Sequence, residues 1–466
     1  MEDTQLERAL EFVTANRDRF LDDLFELLSQ PSISTTDTGI DACLRLITDV
    51  LSQYGCTSSH IIETDGHPSI IAHWHPDETS SLSRPTILMY GHYDVQPASA
   101  DEWTTPPFEP VLREGPDGKP RIYARGAGDN KGQWFTHLCA ILAYLETGTP
   151  PVNVTLLLEG EEESGSPNIE QVVQQASDLL AADVFYMADG PIDPSNRPHV
   201  FLGSRGMVYL QVDIRGPDRD LHSGNFGGPV PNPAWEAVHL LSSMRDTNGW
   251  VNIDGFYADV RDVTMADRGR LNEIPFDSEA VKQDLGIRKF AAGPGESYWE
   301  KLMYHPTLNV AGLTSGYGGE GKKTIIPSTA QIKIDMRLVP NQDPDTIFQQ
   351  FTDHVNEHCS NAVTVDVSRL SSTAAHQTPV DSEFTEPILR GVQLGWGVEP
   401  ILKPSLGASG PDDVFARALD LPCFIVPYAN SDENNHSPDE NLSVRCFENG
   451  VKTTVHVLDQ LSKMSD

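Results

Sequence analysis

His92 and Asp94 stand two residues apart at the end of the stretch Thr86 to Asp94, TILMYGHYD. Ile87, Leu88 and Met89 run without a polar break, which marks a buried strand. A strand repeats every two residues, so His92 and Asp94 point to the same side. Ligands and metals collect where the strands of α/β proteins end. A histidine followed two residues on by a carboxylate can bind a metal through its ring while the carboxylate fixes the ring's orientation. Taken alone, the pair is a weak signal, and a strand running into a polar turn is its plainer reading.

Two further strands end in the same chemistry. Val152 to Leu158, VNVTLLL, leads straight into Glu159-Gly160-Glu161-Glu162-Glu163-Ser164-Gly165, and Asp183 to Ala188 leads into Asp189-Gly190. A run of acids is ordinarily a solvated face. This one follows an apolar strand directly and lies between glycines, which places it at a sheet edge over a cleft. Between these strands, Arg125-Gly-Ala-Gly-Asp-Asn-Lys-Gly132 enters a helix at about Gln133. A glycine-rich turn of this kind can cradle a phosphate. It is neither GxGxxG nor GxxxxGKS, and no acidic ribose ligand follows at the expected distance, which argues against a nucleotide. Its glycines instead let the backbone approach an ion and put Asp129 at the helix mouth. Strand ends in His/Asp, Glu/Glu and Asp, with Asp129 between them, predict a polymetallic site at the C-terminal edge of a sheet.

The elements that must hold these residues can be read from periodicity. Near-helical apolar spacing predicts helices over Thr4 to Gln30, with Pro31 as the stop, and over Gly39 to Tyr54. Ser69 to Trp74 and Thr86 to Val95 are expected strands, and Pro110 to Ala124 a hairpin turning on PDGK. After Gly206 the character changes. Met207 to Arg215, Thr307 to Leu313, Gln331 to Val339 and Ala362 to Leu370 give strand signals, with helices over Pro231 to Arg245 and Asp343 to Cys359. The stretch from Asp246 to about Ser297 reads as polar and irregular. This β-α-β-β-α-β order predicts a small α+β sandwich with one exposed sheet face. From about Glu386 the α/β style returns, with a helix to Leu394, strands at Pro400 to Lys403 and Cys423 to Val426, the loop YANSDENNHSPDENL, and a last helix from Cys446. The expected fold is therefore an α/β catalytic domain, with helices around a mixed, mostly parallel sheet, over 1–205 and 387–466. An α+β two-layer domain is inserted at 206–386.

The chain has 466 residues, enough for two domains. Its formal net charge of −35 argues against nucleic acid and anionic membrane as partners. It also raises adaptation to high salt as a hypothesis. No apolar run approaches the ~20 residues of a membrane span, and the acidic N-terminus MEDTQLERALEF lacks the features of a signal peptide. Six scattered cysteines without a CxxC predict reduced thiols and a cytoplasmic protein, with no thiolate zinc site.

The stretches GHYDVQP, ARGAGDNKG, LEGEEESGS, MADG, DLHSG, KTIIP, DMRLVPN, GASGP and NNHSPDEN occur in order from about residue 85 to 445. In this the chain resembles the co-catalytic zinc or manganese peptidases, which include carnosinase, cytosolic nonspecific dipeptidase, aminoacylase and the acetylornithine and succinyl-diaminopimelate deacylases. GHYDVQP, EGEEESGS and DLHSG are most similar to the dipeptidase branch. Three glutamates stand in a row where many relatives have two; alignment on Ser-Gly-Ser makes Glu162 the base and Glu163 the ligand. The resemblance implies two divalent metal ions, bridged by Asp129. His92 and Asp189 would complete one ion's ligands, Glu163 and His436 the other's. It further implies that Asp94 supports His92, that Glu162 is general base and acid, and that His222, Thr324, Arg337 and Ser409 bind substrate. A cis peptide between Asp129 and Asn130, a lid and dimerisation role for the inserted domain, and a homodimer in which His222 reaches the partner's metal site are also implied. Singly, each of these residues has a plainer reading: His436 in a polar loop as a surface histidine, Arg337 on a strand as a solvated charge, His222 beside Ser223-Gly224 as a turn residue.

This chemistry is coherent in itself. Two divalent ions bring +4 against −3 from Asp129, Glu163 and Asp189, and a bridging hydroxide would leave the centre neutral. Glu162 would take the water's proton and deliver it to the leaving amine. His222 would donate to the oxyanion, and Arg337 would offer a planar fork to a terminal carboxylate. Two histidines and three carboxylates suit Zn or Mn equally. The expected activity is hydrolysis of dipeptides with a free C-terminal carboxylate. An N-acyl-amino-acid deacylase with the same centre is the nearest rival, differing in what it accepts at the amino end. A non-catalytic metal-binding or scaffold protein is a third reading, disfavoured because a pure binder needs neither Glu162 nor Asp94.

Overall fold

The computed structural model describes residues 4–75, 84–291 and 297–465. Residues 1–3 of the acidic N-terminal stretch and 292–296 of the polar segment lie outside the described residues. The chain forms two compact units, one comprising residues to Gly203, Thr378–Pro404 and from Val414, the other Ser204–Gln377 and Ser405–Asp413. The return to the first unit comes at Thr378, earlier than a boundary at 386 would put it. There Thr378 donates its amide to the Leu202 carbonyl at 2.6 Å and its hydroxyl to that of Cys423 at 2.8 Å.

The first unit is built on an eight-stranded sheet in the order Ser58–Ile62, Ser69–Trp74, Asn153–Glu159, Thr86–His92, Val184–Met187, Cys423–Ile425, His199–Phe201, Ile401–Lys403. The sheet is mixed, with parallel pairing through its centre. Asn153–Glu159 is buried along its whole length, as expected of a strand covered on both faces. Helices Lys131–Thr147 and Val444–Ser462 supply much of the cover, and each side chain such as Phe135, Leu138 or Leu458 that is fully buried there contributes roughly 1.5–3 kcal/mol. His92 lies opposite Glu159 and Tyr90 opposite Met187 in the parallel ladders. The segments that leave the three neighbouring strands, 93–95, 160–163 and 188–190, therefore emerge from one edge of the sheet.

The second unit has a four-stranded antiparallel sheet in the order Thr307–Ser315, Thr329–Leu338, Gly206–Arg215, Thr364–Thr373. Val208, Leu210, Val212 and Ile214 alternate with half-exposed residues and form a core with Ile332, Ile334, Met336 and the helix residues Ala237, Leu240, Ile347 and Phe351. The period of two is what the sequence displays, because only one face of this sheet is covered.

Several local expectations are corrected. The N-terminal helix is two helices, Gln5–Ala15 and Arg17–Ser29, separated at Asn16, whose side-chain amide turns back to the Phe12 carbonyl at 2.9 Å. The strand of the His-x-Asp stretch ends at His92, not Val95; beyond it Val95 N donates to Ser32 O at 2.9 Å and leaves the ladder. The segment read as irregular contains helices Met265–Leu271 and Ser278–Asp284. The first opens on a capping box between Thr264 and Asp267, and the second on Asp277, which accepts from the amides of Glu279 and Ala280. Ser58–Ile62 and Asn441–Ser443 are strands where none was expected; the latter pairs with Pro120–Tyr123 inside the long C-terminal loop.

Candidate metal centre

Asp129 sits in the glycine-rich turn before helix Lys131–Thr147, and the peptide bond joining it to Asn130 is cis. Its two carboxylate oxygens face different histidines: Oδ1 lies 3.1 Å from His92 Nε2 and Oδ2 lies 3.0 Å from His436 Nε2. Asp189 Oδ2 is 3.6 Å from His92 Nε2, and Glu163 Oε2 is 3.1 Å from His436 Nε2. Two groups of potential ligands result, His92–Asp129–Asp189 and Asp129–Glu163–His436, and within each the ligand atoms lie within 4.8 Å of one another. They share Asp129 and no other residue.

Around this core the chain fixes each ligand from behind. His92 Nδ1 faces the Asp94 carbonyl at 3.0 Å and its carboxylate at 3.4 Å. Both are acceptors, so Nδ1 carries the proton and Nε2 keeps its lone pair for a metal. The Asp94 carboxylate also accepts from the amides of Glu162 and Glu163, at 3.2 and 3.1 Å, and from Ser34 Oγ at 2.7 Å. One side chain therefore ties the histidine of one strand end to the glutamates of the next. Gln96 holds Glu163 through its amide N at 3.1 Å and its side chain at 2.7 Å. Asn130 accepts from the His92 amide and donates to the Ala188 carbonyl at 2.7 Å, which joins the turn to two strand ends. Glu440 accepts from the amides of Gly128 and Asp129, each at 2.9 Å, and from Arg125 at 2.6 Å.

The three glutamates in a row separate cleanly. Glu161 is turned away, accepting from the His67 amide at 2.9 Å and from Asn168 at 2.8 Å. Glu162 Oε2 lies 4.0 Å from His92 Nε2, and Glu163 faces His436.

The protonation equilibria show what the site demands. Burial opposes charge on His92, but Asp129, Asp189 and Asp94 outweigh it and hold its pKa well above the usual imidazole value. Asp129 and Glu163 raise His436 to about 10. Burial, together with Asp189, Asp129 and Glu163, pushes Glu162 well above the usual carboxylate range against the pull of His92. Burial, with Asp129 adding to it, raises Asp189. Positive charge is thus favoured at two points, one on either side of Asp129. A set of two imidazoles and three carboxylates arranged as two triads with one shared carboxylate suits a pair of divalent ions.

The four residues expected to bind substrate all belong to the second unit. They fall into two pairs. His222 and Thr324 meet at the short ladder of Leu221–His222 with Ile325–Ile326, where the Ser223 amide donates to the Thr324 carbonyl at 3.1 Å. Arg337 Nη1 donates to Ser409 Oγ at 3.0 Å. His222 is exposed, and its Nδ1 accepts from the Gly224 amide at 3.0 Å, which puts the ring proton of the neutral imidazole on Nε2.

Sequence reasoning gave no role to Ser34, Gln96, Asn130, Glu433 or Glu440. Gln96, Asn130 and Glu440 lie inside the motifs GHYDVQP, ARGAGDNKG and NNHSPDEN, and Glu433 stands immediately before the last of these. The signal was the motif as a whole; Ser34 carried none.

Comparison with known proteins gives a consistent picture. The profile of peptidase family M20/M25/M40 matches residues 88–460. Cys-Gly metallodipeptidase dug1 of Schizosaccharomyces pombe is 27% identical over 98% of this chain and 99% of its own length. Human Beta-Ala-His dipeptidase is 27% identical over 96% of this chain and 91% of its own. Among solved structures, an M20 family metallo-carboxypeptidase, Sso-CP2 from Sulfolobus solfataricus, superposes with a TM-score of 0.85 at 33% identity, covering 95% of this chain and 99% of that one.

Proposed function

Since the chain belongs to peptidase family M20/M25/M40, we propose that it is a dinuclear metal-dependent dipeptidase acting on dipeptides with a free C-terminal carboxylate. The observation that carries this reading is the division of Asp129 between two triads, one oxygen toward each histidine.

His92, Asp129 and Asp189 would hold one ion, and Asp129, Glu163 and His436 the other, as Zn or Mn. When bound, the ions would supply Lewis acidity, lowering the pKa of the attacking water and polarising the scissile carbonyl. Glu162 takes the proton of that water and delivers it to the leaving amine. Asp94 keeps His92 in the tautomer that leaves Nε2 free, and through the amides of Glu162 and Glu163 it sets the place of the base relative to the ligand. His222, with its ring proton on Nε2, donates to the oxyanion of the tetrahedral intermediate. Arg337, steadied on Ser409, pairs with the substrate's carboxylate, and Thr324 contributes a hydroxyl beside His222.

The chain acts as a homodimer in which His222 serves the partner's metal centre. Support comes from the second unit, where the edge strand Thr307–Ser315 exposes Val310 and Leu313, and helix Pro233–Ser243 exposes Trp235 and Val238. Six free cysteines fit a reducing, cytoplasmic setting. Among the described residues no helix is long and apolar enough to cross a membrane.

The likeness to a metallo-carboxypeptidase favours a second reading, in which the substrate extends beyond two residues on its amino side. Reconstitution with Mn or Zn, followed by assay against free dipeptides, tripeptides and N-acetyl amino acids, separates the possibilities. Turnover of free dipeptides alone supports the dipeptidase. Release of the C-terminal residue from tripeptides supports the carboxypeptidase. Turnover confined to N-acetyl amino acids supports a deacylase with the same centre.

A further inference from the structure

Glu433 is a buried acid for which the mechanism above has no use. It is 2% exposed, and neither of its carboxylate oxygens has a hydrogen-bond partner. Asp94 and Glu440 are equally buried, but each accepts several hydrogen bonds, and Glu159 accepts one from Tyr90 at 2.6 Å. The charges that bear most strongly on Glu433 are those of Asp129, Glu440 and Asp189, all carboxylates. Asn435 lies near enough to favour its charged form without closing a hydrogen bond. The nearby cation Arg125 is taken by Glu440.

The room for this side chain is built in. A Cβ placed on Gly128 would lie 2.2 Å from Glu433 Oε2, so the carboxylate fits against the Asp129 turn only because residue 128 is glycine. The Glu433 backbone is held separately: its amide donates to Asn430 and its carbonyl accepts from the Asn441 amide at 2.8 Å. The loop therefore does not need the acid for its shape. A proton on Glu433 would find no acceptor, and a charge on it finds only the Asn435 amide, short of a closed hydrogen bond, so the chain alone gives this group little.

We propose that Glu433 is a positioning residue for the metal pair: an acid stored against the Asp129 turn whose negative charge is satisfied only by the divalent ions and tightens their binding. The inference rests on the dinuclear reading above. It implies an opposition of effects, because a group that burdens the metal-free chain should help the loaded one. A purely structural glutamate would do the reverse.

The test compares wild type with Glu433→Gln, which keeps size and shape, and Glu433→Asp, which keeps charge. Dissociation constants for Zn(II) and Mn(II) are measured by competition with a chromogenic chelator, and melting temperatures on the metal-free proteins. Outer partners of metal ligands typically change affinity about 10–100-fold. Glu433→Gln should bind the ions weaker by that factor, while its metal-free form melts higher than metal-free wild type. Glu433→Asp should stay within a few-fold of wild type. Unchanged affinity in Glu433→Gln, or a lower melting temperature of its metal-free form, overturns the proposal while leaving the dinuclear reading intact. Failure of wild type to bind either ion overturns both.

Discussion

Glu440 accepts a hydrogen bond from the backbone amide of Asp129 at 2.9 Å, although the two residues stand 311 positions apart in the chain. Both Glu440 oxygens are engaged, one by two amides and the other by Arg125, and all partners are donors. Glutamine in its place must present an NH2 group to one set of these donors. Glu440→Gln should therefore release either the turn or the arginine. Metal affinity is expected to fall about 10–100-fold, as for other groups that orient ligands from behind. Chelator competition on the purified variant checks this; affinity equal to wild type would mean that the turn keeps its shape without Glu440.

Glu162→Gln should leave both metals bound and cost most of the turnover. The change keeps size and hydrogen-bonding reach but removes the proton acceptor, and groups of this kind contribute about 10²–10⁴-fold. Metal content and kcat are measured together. Full metal content with retained turnover would show that another group carries the proton.

How much of this site could be read from the sequence depends on how local each signal is. His92, Asp94, Glu162, Glu163 and Asp189 follow apolar runs directly, so strand periodicity alone places them near one sheet edge. Residues of the long C-terminal loop give no such signal. Strand Asn441–Ser443 exists because it pairs with Pro120–Tyr123, and Glu433 is buried because Gly128 leaves space for it. Both facts depend on partners hundreds of residues away. Helix Met265–Leu271 failed for a different reason. Its capping box was present in Thr264 and Asp267, but seven residues with Met265 89% exposed carry no apolar stripe to notice.

His137 provides a pH effect remote from the metal centre. It is fully buried, with Nδ1 on Thr454 Oγ1 at 2.9 Å and Nε2 unpartnered. Burial lowers its pKa to about 3, against about 6.5 in the unfolded chain. Between these values the unfolded state binds the proton and the folded state does not. The contribution of neutral His137 is therefore complete above pH ~6.5 and is lost as pH falls toward 3, at up to about 1.4 kcal/mol per pH unit. Compared with wild type, His137→Gln should gain about 2 kcal/mol in relative stability between pH 7.5 and pH 5. Urea titrations of both proteins at the two pH values measure the difference; no change in the gap would mean that His137 does not stay neutral.

The net charge of −35 predicts a stability that rises with salt. Like charges on one surface repel across about 10 Å at 0.1 M salt and about 3 Å at 1 M. The melting temperature should increase from dilute buffer to molar KCl. A flat or falling profile would remove the case for adaptation to high salt.

The dimer is tested through His222. If it serves the partner's centre, two inactive variants complement each other. In a dimer of one His222→Ala chain and one Glu162→Ala chain, the first chain keeps Glu162 and receives an intact His222 from the second. That site is complete, while the other carries both defects. Mixed dimers isolated through two different affinity tags should thus show roughly half of wild-type activity, by two-fold symmetry. If His222 serves its own chain, each site retains one defect and the mixed dimer stays inactive. Because the tags select dimers holding one chain of each kind, an inactive preparation counts directly against action across the interface.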